Sequence, residues 1–235
     1  MKQETEAIRA RYSRRATNVD SRRYSMLTAA NWQTVQERQR AMLRLFQAVG
    51  LIELGGLRLA EVGAGTGGNL LELLRAGFAP ENLIGVDLLP ERAEVARHVL
   101  PSAVRFESGD ATELFIEPGS LDIVYQSVVF SSLLDNAFQL CLAQAMWRWL
   151  KPGGAVLWYD FTYNNPANPD VRGVPISRVR ALFPEGLIRS QRITLAPPLA
   201  RRVAAVHPSL YTLFNLMPAL RTHVLAWVVK PLDPQ

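Results

Sequence analysis

Leu57-Arg58-Leu59-Ala60-Glu61-Val62-Gly63-Ala64-Gly65-Thr66-Gly67-Gly68-Asn69 is the stretch that decides the fold of this 235-residue chain. A short apolar run meets an acid, a glycine-rich turn follows, and Asn69-Leu70-Leu71-Glu72-Leu73-Leu74 opens a helix. Glycine enters the left-handed backbone region at little steric cost and lets a ligand come close to the main chain. The helix behind the turn offers unpaired N–H groups to an anionic or polar ligand group. A ligand-binding strand–turn–helix unit is expected here, and the rest of the chain must say which ligand.

Two spacings coexist at the turn. Gly63, Gly65 and Gly68 satisfy the G-x-G-x-x-G pattern of dinucleotide sites, while Glu61, Gly63, Gly65 and Gly67 satisfy Glu-x-Gly-x-Gly-x-Gly. Downstream, Asn82-Leu83-Ile84-Gly85-Val86-Asp87 reads as a second strand ending on an acid, where a carboxylate accepts from ribose hydroxyls. Val104 to Ser108 reads as a third strand, followed by Gly109-Asp110-Ala111-Thr112, and Leu121 to Gln126 as a fourth. An amphipathic helix over about Asn136 to Leu150 leads into Leu150-Lys151-Pro152-Gly153-Gly154 and a fifth strand, Ala155 to Asp160.

Taken in order, these motifs resemble the class I S-adenosylmethionine-dependent methyltransferases over roughly residues 40 to 161, with looser agreement to the end. The competing nicotinamide reading fails on other grounds. The three lysines, Lys2, Lys151 and Lys230, none of them four residues after a tyrosine, lack the Tyr-x-x-x-Lys pair that a short-chain dehydrogenase of this length needs. The resemblance implies an α/β fold: a Rossmann-like seven-stranded sheet, mostly parallel with an antiparallel last strand and helices on both faces. It implies S-adenosylmethionine as cofactor and S-adenosylhomocysteine as product. Gly63, Ala64, Gly65 and Gly67 would make backbone contacts, and Glu61 would support the turn or the methionine amino group. Asp87 with Leu88 would hold the ribose, Asp110 with Ala111 the adenine, and Gln126 would lie near the methionine part.

Composition narrows the class. The chain is long enough for one α/β domain with a buried core and small additions. No apolar run reaches the roughly 18 residues of a membrane span. The segment Met1 to Arg40 has no apolar centre of a signal peptide. The single cysteine, Cys141, excludes an internal disulfide framework. A cytoplasmic enzyme is expected. Residues 1–40 hold nine basic groups against four acids, so this arm carries the whole net charge of +5. A basic arm of that kind suits an acidic partner or nucleic acid. With a neutral body and no aromatic–basic stripe, a solvated segment or lid is the expected reading and nucleic acid is not the expected partner.

The division expected is an arm or lid over 1–40 and a methyltransferase domain over 41–235. Met1 to about Asn31 shows weak apolar periodicity. Trp32 to Val49 reads as a helix with Val35, Met42, Leu43, Leu45, Phe46 and Val49 apolar, stopped by Gly50. Strands alternating with helices through Asp160 imply a parallel sheet covered on both faces. A polar loop around Asn164, Asn165 and Asn168 then leads to a short helix (Ser177 to Phe183) and a sixth strand (Leu187 to Leu195); the last strand is Thr222 to Val229. Between these two strands lies an insertion of about 196–221 with a helical run Leu199 to Leu216. Because an antiparallel last strand starts at the ligand-binding edge of the sheet, this insertion is expected to cap the site together with the arm around Arg23 and Tyr24.

Methyl transfer from a sulfonium is an in-line displacement that needs alignment and exclusion of water. Gln126-Ser127-Val128-Val129-Phe130 after the fourth strand lacks the Asn/Asp-Pro-Pro-Tyr/Phe signature of many enzymes that methylate amino groups on nucleic acids and proteins. A hydroxyl acceptor needs a general base, for which His223, His207 and Asp160 are the candidates. Tyr159-Asp160-Phe161 and the Asn/Pro loop resemble small-molecule methyltransferases of glycan and natural-product biosynthesis. Tyr24, Tyr159, Asn164 and Arg201 are the candidate acceptor contacts, and the arginines of the insertion suit a carboxylate or phosphate. No His/Cys/Asp cluster at ligand spacing is present, so no metal is expected. The expectation is O-methylation of a small-molecule or glycan-like acceptor. The alternatives are an RNA methyltransferase using the arm and a cofactor-binding interaction protein without catalysis. A membrane-surface role of the apolar, basic cap is a rival to its role as a simple lid.

Overall fold

A computed structural model of the chain describes residues 2–18, 25–166 and 168–232, without the side chains of residue 2 and residues 15–18. The expected Tyr24 and Arg23 lie outside the described residues. Strands β1 (Leu59–Val62), β2 (Leu83–Asp87), β3 (Arg105–Ser108), β4 (Leu121–Ser127), β5 (Leu150–Phe161), β6 (Leu187–Leu195) and β7 (Arg221–Val229) form one sheet. Its order is β3-β2-β1-β4-β5-β7-β6. β7 runs antiparallel to both neighbours and the pairs from β3 to β5 are parallel. The expected Rossmann-like architecture is what the chain adopts.

Every residue of β1 and β2 is buried, as a strand covered on both faces requires. On one face Ala60, Val62, Val124 and Trp158 pack with α5 (Asn136–Trp149) and α6 (Ile176–Leu182); on the other Leu59, Leu83 and Tyr125 pack with α2 (Ala29–Ala48), α3 (Gly68–Ala76) and α4 (Pro90–Val99). Strand order reverses between β1 and β4, and a crevice opens there at the carboxyl ends of the strands, the usual ligand position in such sheets.

Four differences separate the structure from the sequence expectations. Residues 2–18 form a helix, α1 (Lys2–Asn18), whose attachment is mostly polar and so leaves little periodic trace. Ile8 is its buried aliphatic anchor, while the Arg11 hydrogen bond to the Ser132 carbonyl, the Leu134 N–H bond to Glu4 and the Arg14–Asp170 ion pair fix it to the body. The boundary expected at residue 40 falls inside α2, which runs on without a break. The helical run of the insertion is two helices, α7 (Pro197–Val206) and α8 (Pro208–Asn215), because Pro208 lacks the N–H that a continuing helix would donate and instead starts α8. β5 also starts earlier than expected: Gly153 N–H donates to the Lys230 carbonyl and Lys230 N–H to that of Gly154, extending the pairing through the Lys-Pro-Gly-Gly run.

Candidate functional site

The crevice begins where β1 turns into α3. Gly63, Gly65 and Gly67 all lie at positive φ, from 57° to 85°. At Gly63 the need is also steric, since a Cβ there would stand 2.4 Å from Val129 Cγ2. Gly67 caps α3, and Ala64 N–H reaches across to the Val86 carbonyl. Asp87, at the end of β2, braces the turn: its Oδ2 accepts from Gly65 N–H at 2.8 Å and its Oδ1 from Leu89 N–H at 3.0 Å. Each oxygen keeps a lone pair, so a diol presented from the crevice finds two acceptors.

A cavity of about 200 Å³ fills this crevice. Gly63, Asp87, Leu88, Asp110, Ala111 and Ser127 line it, joined by residues of the loop after β4 and of α5. Ile8 and Tyr12 of α1 close it from above. No residue of 196–221 is among its lining. The expected cap instead packs on α2 and β6 through Ala30, Leu195, Ala200, Val203, Ala204 and Tyr211.

The remaining expected cofactor residues serve differently. Gln126 does not line the cavity; its Nε2 donates to the Tyr159 carbonyl and its Oε1 accepts from Val129 N–H, bracing β4 against β5. Asp110 lines the cavity, but its carboxylate already accepts from Thr112 N–H and Oγ1 and from Thr5 Oγ1 of α1. Glu61 points to the opposite face of the sheet from the cavity-lining Val62. It is fully buried, with Oε1 accepting from Asn69 Nδ2 at 2.5 Å and Oε2 without a donor. Burial pushes its carboxyl up to about 8.

Arg38 of α2, which sequence reasoning counted only as part of the basic arm, enters this pocket of charge. Its Nη2 donates to Asn69 Oδ1 and to the Glu72 carboxylate, and its Nη1 reaches Ser127 Oγ at 3.4 Å. Burial opposes the charge, but the fields of Tyr125 and Glu72 outweigh it, so the guanidinium is held more firmly protonated than usual. Its Nε is buried without an acceptor. Its legible signal was position: Arg38 falls on the same helix face as Val35, Met42 and Leu45, where a charge needs a reason.

Toward β5 and β7, His223 is nearly buried, with its ring stacked on Tyr159 at 5.0 Å and its Nδ1 paired with Thr222 Oγ1 at 3.0 Å. Burial, and then the field of Arg38, lower its pKa to about 4, so it is neutral at physiological pH. Tyr159 does not present its hydroxyl to the cavity; that group pairs with Thr194 Oγ1. Asp160 is fully buried, its oxygens accepting from Ser131 and Phe161 N–H; burial pushes it up to about 7. His207 is exposed and its Nδ1 caps α8 by accepting from Ser209 N–H, away from the cavity. Asn164 is exposed and ties its loop by accepting from Gly173 N–H. Arg201 is exposed on α7, while Arg221 donates to the carbonyls of Asn215 and Arg192 and so faces inward. None of the three candidate bases, His223, His207 and Asp160, is among the residues that line the cavity. Among the described residues no group of three or more His, Cys, Asp or Glu is placed to hold a metal ion.

Residues 59–154 match a family described as methyltransferase domain. Among curated proteins the chain is 34% identical over 135 residues to phthiotriol/phenolphthiotriol dimycocerosates methyltransferase 1 of Mycobacterium ulcerans, covering 54% of this chain and 47% of the relative. The chain thus spans about half the length of that relative. Among solved structures it superposes on an S-adenosylmethionine-dependent methyltransferase from Mesorhizobium loti with TM-score 0.61 and 18% identity, over 88% of this chain and 100% of the other. A phosphoethanolamine N-methyltransferase from Haemonchus contortus, in complex with phosphomonomethylethanolamine and S-adenosylhomocysteine, gives TM-score 0.57 and 19% identity over 83% of this chain and 52% of that one. At such identities the structural likeness speaks to the fold.

Proposed function

We propose that this chain, whose residues 59–154 match a methyltransferase domain and whose fold is shared with an S-adenosylmethionine-dependent methyltransferase, transfers the methyl group of S-adenosylmethionine to a hydroxyl of a small-molecule or glycan-like acceptor. One observation carries the cofactor assignment. At the carboxyl edge Asp87 lines the cavity and keeps two lone pairs for a diol, while Glu61 Oε2 and Arg38 Nε, outside that lining, are buried without partners of their own.

The bound cofactor supplies an electrophilic methyl on a sulfonium. Asp87 would accept from the ribose hydroxyls. Glu61 and Arg38, which lie outside the cavity lining, would take the ammonium and carboxylate of the amino-acid end, with Asn69 and Ser127 holding Arg38 in place. Apolar Val62, Leu88, Leu89 and Ala111 exclude water from the adenosine side. Asp110 keeps its Thr5 contact as the link between this side and α1.

His223 is the general base of the acceptor side. In the tautomer with the proton on Nδ1, paired with Thr222 Oγ1, Nε2 would take the acceptor's hydroxyl proton as the methyl carbon–sulfur bond breaks and the carbon–oxygen bond forms, leaving the thioether S-adenosylhomocysteine. The low pKa keeps the imidazole neutral and ready, and stacking on Tyr159 fixes its plane. Asp160 acts through position, clamping the loop after β4 to the end of β5.

Incubation of the protein with methyl-labelled S-adenosylmethionine and a panel of hydroxylated acceptors should transfer label to oxygen, located by mass spectrometry of the product. Calorimetry should show heat with S-adenosylhomocysteine and none with NAD. Heat with NAD alone would reverse the assignment.

A further inference from the structure

The cap carries a surface that cofactor binding does not use. α8 turns Tyr211 inward and leaves Leu213 (58% exposed), Leu216 (68%) and Met217 (48%) on its opposite side. An ordinary surface helix places polar residues there. α7 ends on Val206, 79% exposed, one turn after Arg202 on the same face. Leu27, 99% exposed, precedes the first turn of α2, whose Ala29 and Ala30 pack into the same cap cluster. Grouped apolar tips of this kind mark an interaction site more often than scattered single ones do.

Charge says what kind. Residues 196–221 hold three arginines and no carboxylate, and residues 21–36 hold no carboxylate either. Arg201 and Arg202 are exposed, whereas Arg221 is engaged inward. A second copy of the chain would set arginine against arginine across a two-fold axis. A nucleic acid would use the arginines and leave Leu213, Leu216 and Met217 facing water. An anionic bilayer answers both features, with headgroups at the guanidinium groups and acyl chains at the apolar tips.

We propose that the outer face of α7 and α8 docks the protein on an anionic lipid surface. Taken with the methyltransferase reading, on which this last step rests, the acceptor then carries a lipid anchor and is met at that surface. The attachment proposed is peripheral; no helix among the described residues is long and apolar enough to cross a membrane.

The test is sedimentation of the full chain with vesicles of phosphatidylglycerol and phosphatidylcholine, against vesicles of phosphatidylcholine alone. Partition into the anionic vesicles, weakened by salt and absent with the neutral ones, is the expected result. Arg201→Ala with Arg202→Ala should lower partition by about thirtyfold. Leu213→Glu with Leu216→Glu should abolish it, because carboxylates neither enter the acyl region nor approach anionic headgroups, and the fold should hold because both side chains are exposed. Calorimetric binding of S-adenosylhomocysteine, retained in both variants, shows them folded and keeps a failure of docking separate from a failure of the cofactor assignment. The proposal is overturned if the protein stays in the supernatant with anionic vesicles, or if both variants bind them as the parent does. It is equally overturned if light scattering shows a dimer that Leu213→Glu with Leu216→Glu dissolves while vesicles go unbound.

Discussion

On the side of α2 that faces β1, Glu61 holds one oxygen against Asn69 and leaves the other without a donor. On the side that faces the cap, Glu37 has donors on both: Thr194 N–H and Asn215 Nδ2 on Oε1, and the Tyr211 hydroxyl on Oε2. The two carboxylates thus mark two kinds of region. Glu37 itself has both oxygens paired, with Asn215 Oδ1 beside it buried without a donor, and the chain keeps Thr194 at a φ of 66° that a β-branched residue seldom adopts. Around Glu61 and Asp87 acceptors stay open. An acceptor left open where the fold had the means to close it indicates a ligand; a fully paired one indicates a joint.

The largest effect should fall at the border of the two regions. His223→Asn should lower turnover by about 10²–10⁴-fold with little change in S-adenosylhomocysteine binding. The parent should keep its activity down to near pH 4 on the acid side, where a histidine at its ordinary value would lose it near 6.5. A stopped assay across pH checks both, and an acid limb at 6.5 would contradict the buried, neutral imidazole. Next, Glu37→Ala should cost about 3 kcal/mol of unfolding free energy, or roughly 6–12 °C in Tm, by leaving three donors unpaired. Thermal unfolding followed by circular dichroism measures this; a Tm unchanged within a degree would erase the distinction drawn between the two carboxylates.

Asp87→Ala should weaken S-adenosylhomocysteine by about 1–3 kcal/mol, measured by calorimetry, because the ribose hydroxyls lose both acceptors. The smallest effect concerns protons at Glu61. Burial raises its folded pKa above the unfolded value of 4.5, so its contribution to stability declines as pH rises from about 4.5 through 8. A bound ammonium favours the ionised form, so binding at pH 7 should release a fraction of a proton and tighten as pH approaches 8. Calorimetry in buffers of different ionisation enthalpy reads that proton directly. In Glu61→Gln it should vanish, with stability at pH 7 unchanged or slightly higher.

The parallel half of the fold was legible because its signals are local. Gly63 to Gly67 can only be a tight turn, and Asp87 ends a strand whose residues are all apolar or small. α1 was not legible because its attachment is by ion pair and backbone contacts across more than a hundred residues, as with Arg11 and Ser132. Gln126 and Asp110 show what position alone leaves out. Both stand where expected, yet their polar atoms already have partners within the chain, which only coordinates reveal. His207 shows the opposite failure: a histidine two residues before a backbone N–H it caps looks in sequence like any candidate base. Arg38 was readable and was missed, as a lone charge in an apolar helical stripe.

α1 seals one side of the cavity with Ile8 and Tyr12 and is latched by Thr5 to Asp110 and by Arg11 to Ser132. Passage on that side requires those contacts to break first, and they must break equally for entry and for exit. A barrier shared by both directions slows exchange without altering the equilibrium. A helix so placed is expected to act as a timer, setting how long a guest stays in the crevice while leaving the choice of guest to the strands beneath it.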